Sequence, residues 1–282
     1  MKQLGVHLGG SRDGLMEFGV EAAKLGIRTF QVHLSNPRRW ELPDGTLLSE
    51  FLKEIRPILD SSENPNVTLV VHGPFVFSLA KSEQYSFIHK YLLECSRVME
   101  SLDLLPDDRV FIVTHVGSRP IGLGLKDVVG QLFKLCSSWQ YYTAGHRSVL
   151  CLENDAGSNK GTKLGSVKFL KGLKTKLREF DRVSICWDTE HAFANGMDLS
   201  NRENVEDTLK YSSVVHLNSI PTYVTRGGHL DRHSDDLIAD GQCVEDLLYV
   251  AKRCEELEIP MILERSKNIV LQDYSYIKEE LR

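Results

Sequence analysis

Nine His, Asp and Glu residues carry the chemical promise of this sequence, because their placement repeats. Val183-Ser184-Ile185-Cys186-Trp187 is a short apolar, β-favouring run that stops on Asp188, with His191 three residues later in what reads as a loop. Asp at a strand end is by itself an ordinary turn former. The same event recurs, however, since apolar runs also stop at His72, His115, Glu153, His216 and Glu264. Asp231 and His233, in the long stretch after His216, are spaced i, i+2, so an extended backbone would point both side chains the same way. His, Asp and Glu donors without Cys suit zinc, with Mn or Fe as alternatives, and nine are too many for one tetrahedral ion. Two or three clustered metals follow, a usual device for in-line attack on a phosphate ester. Without cations, four carboxylates and five imidazoles in one cleft would cost several kcal/mol per poorly solvated charge, more than a marginal fold can bear.

To bring these residues together the chain needs elements that end in one place. Strand-like runs occur at 4–8, 29–34, 68–71, 110–114, 148–152, 183–187, 214–217 and 261–263. They alternate with amphipathic segments at 13–25, 46–59, 83–102, 124–142, 164–179, 201–210, 243–257 and 270–281. Eight strands alternating with helices, with no linker or change of composition, predict an α/β chain folded as one closed parallel TIM (β/α)8 barrel spanning 1–282. In such a barrel the C-terminal ends of all strands surround one mouth, so residues distant in sequence converge there.

Composition narrows the partners. With 41% hydrophobic and 26% charged residues, neither disorder nor a membrane protein is favoured, and no run of about 18 apolar residues occurs. A net charge of −5 gives no broad basic surface, so a polyanion would have to be met by a local patch. Cys95, Cys136, Cys151, Cys186, Cys243 and Cys254 include no CxxC pair and read as free thiols in a reducing compartment. No apolar signal core follows Met1, so an intracellular, soluble protein is expected. Two phosphate-loop lookalikes fail: Gly157 to Lys163 is one residue short of the required spacing, and Gly122-x-Gly124 lacks a third glycine.

The ligand-bearing stretches resemble the endonuclease IV type of apurinic/apyrimidinic (AP) endonuclease along nearly the whole chain. They are Asn36-Pro37-Arg38-Arg39-Trp40, His72-Gly73-Pro74-Phe75, His115-Val116-Gly117-Ser118, Leu152-Glu153-Asn154-Asp155-Ala156-Gly157, Asp188-Thr189-Glu190-His191-Ala192-Phe193, His216-Leu217-Asn218, Asp231-Arg232-His233 and Ile262-Leu263-Glu264. The resemblance implies a TIM barrel with three Zn2+ per chain, with Mn2+ or Fe2+ as alternatives at one site. Its expected reaction is hydrolysis of the phosphodiester 5′ to an abasic site in double-stranded DNA, with 3′ end-cleaning as an added activity, by a monomer with no membrane partner. By carry-over, His72, His115 and Glu153 would hold one zinc, and Glu153 would bridge to a second on Asp188, His216 and Glu264. The third would sit on His191, Asp231 and His233. A hydroxide between the first two would attack, with Glu264 and Glu153 as the catalytic carboxylates and Glu264 positioning or deprotonating the water.

The sequence departs from the family at Phe75, where Tyr is expected, at Ser219, where Asp is usual, and in the acidic segment 234–241, which lacks a second glycine. These changes spare the metal ligands and bear on DNA contacts. Asn36, Arg38, Arg39 and Trp40 follow the second strand, in a loop that enters DNA at the lesion in the family; loop arginines are otherwise merely solvated. Phe75 and Val76 form an apolar loop tip that fits either a gap in the base stack or a cap on the core. His7 and His33 read as structural, His229 as exposed loop with a spare ligand as the alternative, and Lys171, Lys174, Lys176 and Arg178 as a solvated helix face. Two rival readings remain: a xylose-isomerase-like sugar isomerase, which would use more carboxylates and a Lys or His for proton transfer, and a catalytically inactive DNA-damage binding protein.

Overall fold

The first strand, β1 (Leu4–Gly9), shows how the architecture is specified. Leu4, Val6 and Leu8 point outward into the main hydrophobic core, which leaves Gly5, His7 and Gly9 facing the opposite side. A Cβ on Gly5 would lie 2.1 Å from the Thr29 carbonyl oxygen, so the approach of β1 to its neighbour requires glycine. In the computed structural model, which describes residues 1–60, 65–79, 81–117, 124–156, 166–228 and 236–282, β1 opens a closed barrel of eight parallel strands in sequential order. The others are β2 (Thr29–Val32), β3 (Thr68–His72), β4 (Arg109–His115), β5 (Val149–Glu153), β6 (Val183–Asp188), β7 (Ser212–His216) and β8 (Met261–Leu263). β8 pairs back onto β1 through Leu4↔Met261 and Val6↔Leu263, which closes the ring.

Helices cover the outside: α2 (Thr46–Asp60), α3 (Tyr85–Ser101), α4 (Leu125–Tyr142), α5 (Val167–Lys176), α7 (Arg202–Leu209), α8 (Val244–Glu256) and α9 (Lys267–Glu280). Each turns an apolar stripe inward, as α2 does with Leu48, Phe51, Leu52, Ile55 and Leu59. The expected helix at 13–25 is instead a π-helical segment, Asp13–Gly19, running into a short α1, Val20–Lys24. Two glycines accompany the wider turns: a Cβ on Gly14 would meet the Leu8 carbonyl at 2.1 Å, and one on Gly19 the Phe51 ring at 2.7 Å. The expected loop after β6 is a helix, α6 (Thr189–Ala194), which the Asp188 side chain caps by accepting from His191 N at 2.7 Å.

Beneath the strands, the buried Asp108 carboxylate accepts from Val67 N (2.8 Å) and Leu105 N (2.7 Å) and pairs with Arg56. It thereby joins α2 to the loops entering β3 and β4. All six cysteines are free thiols, and among the described residues no helix is long and apolar enough to cross a membrane.

Candidate metal centre

Strand alternation alone decides which side chains meet inside the barrel. Val70, Phe111, Val113, Cys151, Cys186, Val214 and Ile262 form a small apolar cluster separate from the outer core, and so mark the inward positions. Two residues further along each strand, on the same face, stand His72, His115, Glu153, Asp188, His216 and Glu264. The strand register levels them, pairing His115 with Glu153 and Asp188 with His216. On β2, Phe30 and Val32 belong to the outer core, so Gln31 turns inward; on β1 His7 does the same. The upper layer of the interior is therefore a ring to which six strands give possible ligands and two give His7 and Gln31.

Glu153 lies at the centre of that ring. Its Oε2 is 3.0 Å from His72 Nε2 and 3.4 Å from His115 Nε2, while Oε1 is 2.9 Å from His216 Nδ1. His216 Nδ1 is also 3.2 Å from Glu264 Oε2 and 3.9 Å from Asp188 Oδ2. The donor atoms of His72, His115 and Glu153 all lie within 4.8 Å of one another, and so do those of Glu153, Asp188, His216 and Glu264. The two groups share Glu153 and divide its oxygens between them.

His191 begins a third group with Asp188 and Glu190, all three buried. Its Nδ1 lies 3.0 Å from the Asn154 carbonyl oxygen, so that nitrogen carries the proton and Nε2 is the nitrogen that could ligate an ion. Asp231, His233 and His229 lie outside the described residues.

The electrostatics call for positive charge at the centre of the ring. Burial would raise the Glu153 carboxyl, but His115 and His216 hold it well below the usual range. Burial would lower His216, yet Cys186, Glu264 and Glu153 carry it well above its ordinary value. His72 is raised too, with Glu153 overcoming the opposing effect of burial. His115, further from Glu153, is pushed down to about 4 by burial. Divalent cations fit this donor set: ligand atoms about 2.0 Å from a tetrahedral ion stand about 3.3 Å apart, close to the separations around Glu153. His72 also keeps Nε2 for such an ion, because its Nδ1–H donates to the Gly73 carbonyl oxygen at 2.7 Å.

Several residues without a role in the sequence reading hold this layer. Asn218 Nδ2 donates to Asp188 Oδ2 (2.6 Å) and Glu264 Oε2 (3.1 Å). Asn154 brackets the Asp188 backbone, accepting from its N at 2.8 Å and donating to its O at 2.9 Å. Gln31 reaches His216, Glu264 and His7. The alternation of Thr29, Gln31 and His33 with Phe30, Val32 and Leu34 was the available signal for it. Glu190, fully buried beside His191, carried none, because its neighbours matched on their own.

The loop residues sit at the rim. Phe75 is 56% exposed and lies over the ligand histidines, its ring centre 5.4 Å from His33 and 5.6 Å from His72. Its backbone N donates to the Pro37 carbonyl oxygen at 2.9 Å, tying the two loops together. Asn36, Arg38 and Arg39 are exposed, and Asn36 Oδ1 accepts from Arg38 N at 3.0 Å. Trp40 packs on Phe77 and Phe87 with part of its ring in solvent, and Val76 packs against the core. His33 is structural as expected: its Nδ1–H donates to the His72 carbonyl, and burial, with His7 and His72, pushes it down to about 3. The lysines of α5 are not all solvated. Lys174 Nζ donates to the carbonyls of Phe180 and Val183, and Lys171 pairs with Asp207.

A closed parallel barrel whose strand ends share one buried His/Asp/Glu cluster defines a class, the TIM barrels built around a candidate metal centre. A family model described as xylose isomerase-like TIM barrel matches residues 20–264. A probable endonuclease 4 from Cenarchaeum symbiosum is 30% identical over 294 aligned positions, which cover 98% of this chain and 97% of the relative. Apurinic-apyrimidinic endonuclease 1 of Plasmodium falciparum is 24% identical over 99% of this chain, which spans 46% of that relative's length. The crystal structure of an AP endonuclease, family 2, from Brucella melitensis shares the fold with a TM-score of 0.67 at 15% identity, over 98% of this chain and 99% of that one. The chain belongs to the endonuclease IV type of AP endonuclease, within the xylose isomerase-like TIM barrel family.

Proposed function

We propose that the protein is a divalent-metal-dependent AP endonuclease that cleaves double-stranded DNA on the 5′ side of an abasic site and leaves a 3′-OH. The observation that carries this reading is the bridging position of Glu153, with one oxygen toward His72 and His115 and the other toward His216. A shared carboxylate between two donor groups is what adjacent ions require, and paired ions serve in-line displacement at phosphorus. Zinc suits the donors, with three ions per chain once Asp231 and His233 join His191, and Mn2+ or Fe2+ as alternatives at one site. When bound, the ions would lower the pKa of a water and offset charge gathering on the phosphate.

The chain's own residues do the rest. Glu264 accepts from Gln31 Nε2 at 2.6 Å on one oxygen and from Asn218 Nδ2 at 3.1 Å on the other, which fixes the carboxylate to orient the attacking water and take its proton. His72 and His216 hold the two faces of Glu153. Phe75, over the cluster, and Arg38, at the rim, would occupy the gap left by an extruded abasic nucleotide and contact its phosphates. Asn36, Arg39, Trp40 and Val76 complete this proposed DNA surface. The same centre would also trim blocked 3′ ends, since that too is phosphate ester hydrolysis.

The test is incubation of an abasic duplex, labelled at either end, with the protein as purified and after chelation. A 3′-OH nick 5′ to the lesion, lost with the metal, upholds the reading. An intact abasic duplex with turnover of a ketose or aldose would favour the isomerase alternative, and binding without cleavage the inactive one.

A further inference from the structure

Gln31 is a neutral side chain with no solvent exposure that touches the ring of candidate ligands at two points. Its amide lies 2.8 Å from His216 Nε2, 2.6 Å from Glu264 Oε1 and 3.1 Å from His7 Nδ1. Only one orientation of the amide satisfies all three. At 2.6 Å from a carboxylate oxygen its NH2 end must face Glu264, since an oxygen there would repel. The second N–H then donates to His7 Nδ1, and the amide oxygen is left facing His216 Nε2. That nitrogen must therefore carry a proton, so Nδ1, which faces the Glu153 and Glu264 carboxylates and would give up its own proton to an ion, is the nitrogen left to ligate.

Asn154 and Asn218 differ from Gln31 in what they hold. Both bond main-chain groups of the ligands, at Asp188 and Glu264 respectively, so removing either would disturb backbone as well as side chains. The hydrogen bonds of Gln31 go only to side chains, and its β2 neighbours Phe30 and Val32 supply the packing to the outer core.

We propose that Gln31 is a positioning residue that fixes the Nε2–H tautomer of His216, so that Nδ1 is its ligating atom, and sets the rotation of the Glu264 carboxylate. It thereby governs the group formed by Glu153, Asp188, His216 and Glu264 without governing the one formed by His72, His115 and Glu153. This inference rests on the metal-centre reading above. Hydrogen-bond partners of ligating side chains typically change metal affinity 10- to 100-fold when removed, and an effect of about that size is expected here.

The experiment compares wild type with Gln31→Met, which keeps length and apolar bulk, and Gln31→Glu, which keeps an acceptor for His216 and loses the donor toward Glu264. Zn2+ and Co2+ binding is measured by equilibrium dialysis, and the His216 tautomer by 15N-histidine NMR on zinc-loaded protein. For Gln31→Met we expect one class of sites weakened about 10- to 100-fold, the remaining sites unchanged, and a mixed tautomer at His216. For Gln31→Glu we expect the wild-type tautomer with weakened binding at that same class. Wild-type tautomer and affinities in Gln31→Met would overturn the proposal, as would equal weakening of every site. If Gln31→Met does not fold, Gln31→Glu decides: a changed tautomer, or undiminished binding, overturns it. If wild type takes up no divalent ion, the metal reading fails and this proposal with it, whereas ion uptake that Gln31→Met leaves unaltered overturns the proposal alone.

Discussion

One pleat separates two layers of the same barrel interior. In the lower layer Val70, Phe111, Val113, Cys151, Cys186, Val214 and Ile262 fill the space with apolar groups and two thiols, of which Cys186 also meets His216 above it. Burial of such surface stabilises by about 25 cal/mol per Å2. In the upper layer the same strands present His72, His115, Glu153, Asp188 and His216, and Glu264 follows directly after β8. Glu153, Asp188 and His216 have no solvent exposure at all, and burial of charge costs several kcal/mol per poorly paired group. The comparison teaches a division of labour. The floor, with ties such as Asp108 to Arg56 below it, makes the fold, and that stability permits a mouth built from groups that would not stay together unaided.

Substitutions should separate the two layers. The largest effect is expected from Glu153→Gln, which removes the charge of the bridge and leaves one ligating oxygen for two donor groups. Cleavage of abasic DNA should fall by about a hundredfold or more, with loss of bound metal, while circular dichroism still reports a folded barrel. A variant retaining over about a tenth of wild-type cleavage would remove Glu153 from the centre of the account. Phe111→Ala should do the reverse. Removing a buried ring typically costs about 3–5 kcal/mol, a large share of a stability of about 5–15 kcal/mol, yet the rate per folded molecule should stay at the wild-type value. Denaturant midpoints beside rates normalised to folded protein test this, and a rate that falls with the midpoint would mean the layers are not separable.

The smallest effect should come from the rim. Phe75→Ala and Arg38→Ala are expected to reduce the preference for abasic over intact duplex by about tenfold, because the gap beside an extruded nucleotide is then poorly filled. Titration of both duplexes measures it. Equal loss for the two would make these residues general contacts with DNA.

What the sequence disclosed follows the same division. The strands were legible because apolar runs of three to six residues between amphipathic segments repeat along the chain, and the candidate ligands because they end those runs. Gln31 was not read, since the alternation of Thr29, Gln31 and His33 with Phe30, Val32 and Leu34 does not say which face turns inward until Phe30 and Val32 are seen in the outer core. The helix at Thr189–Ala194 was read as a loop because six residues are too few to show a helical period, though Asp188 was already its cap. Lys174 was read as solvated because helix periodicity does not reveal that the Phe180 and Val183 carbonyls lie within its reach. The bridging role of Glu153 came from the family resemblance and not from spacing along the chain, which does not contain the register of β4 and β5.

The central claim is that the buried cluster holds divalent ions and uses them to cut DNA at abasic sites. Its most direct test is elemental analysis of the purified protein, coupled to cleavage of an abasic duplex before chelation, after chelation with the fold verified, and after zinc is returned. The account predicts about three ions per chain, as nine ligands with one bridging carboxylate would hold. It further predicts a 3′-OH nick that disappears with the ions and returns with them. Undiminished cleavage by metal-free protein, or an abasic duplex left intact by fully loaded protein, would contradict it.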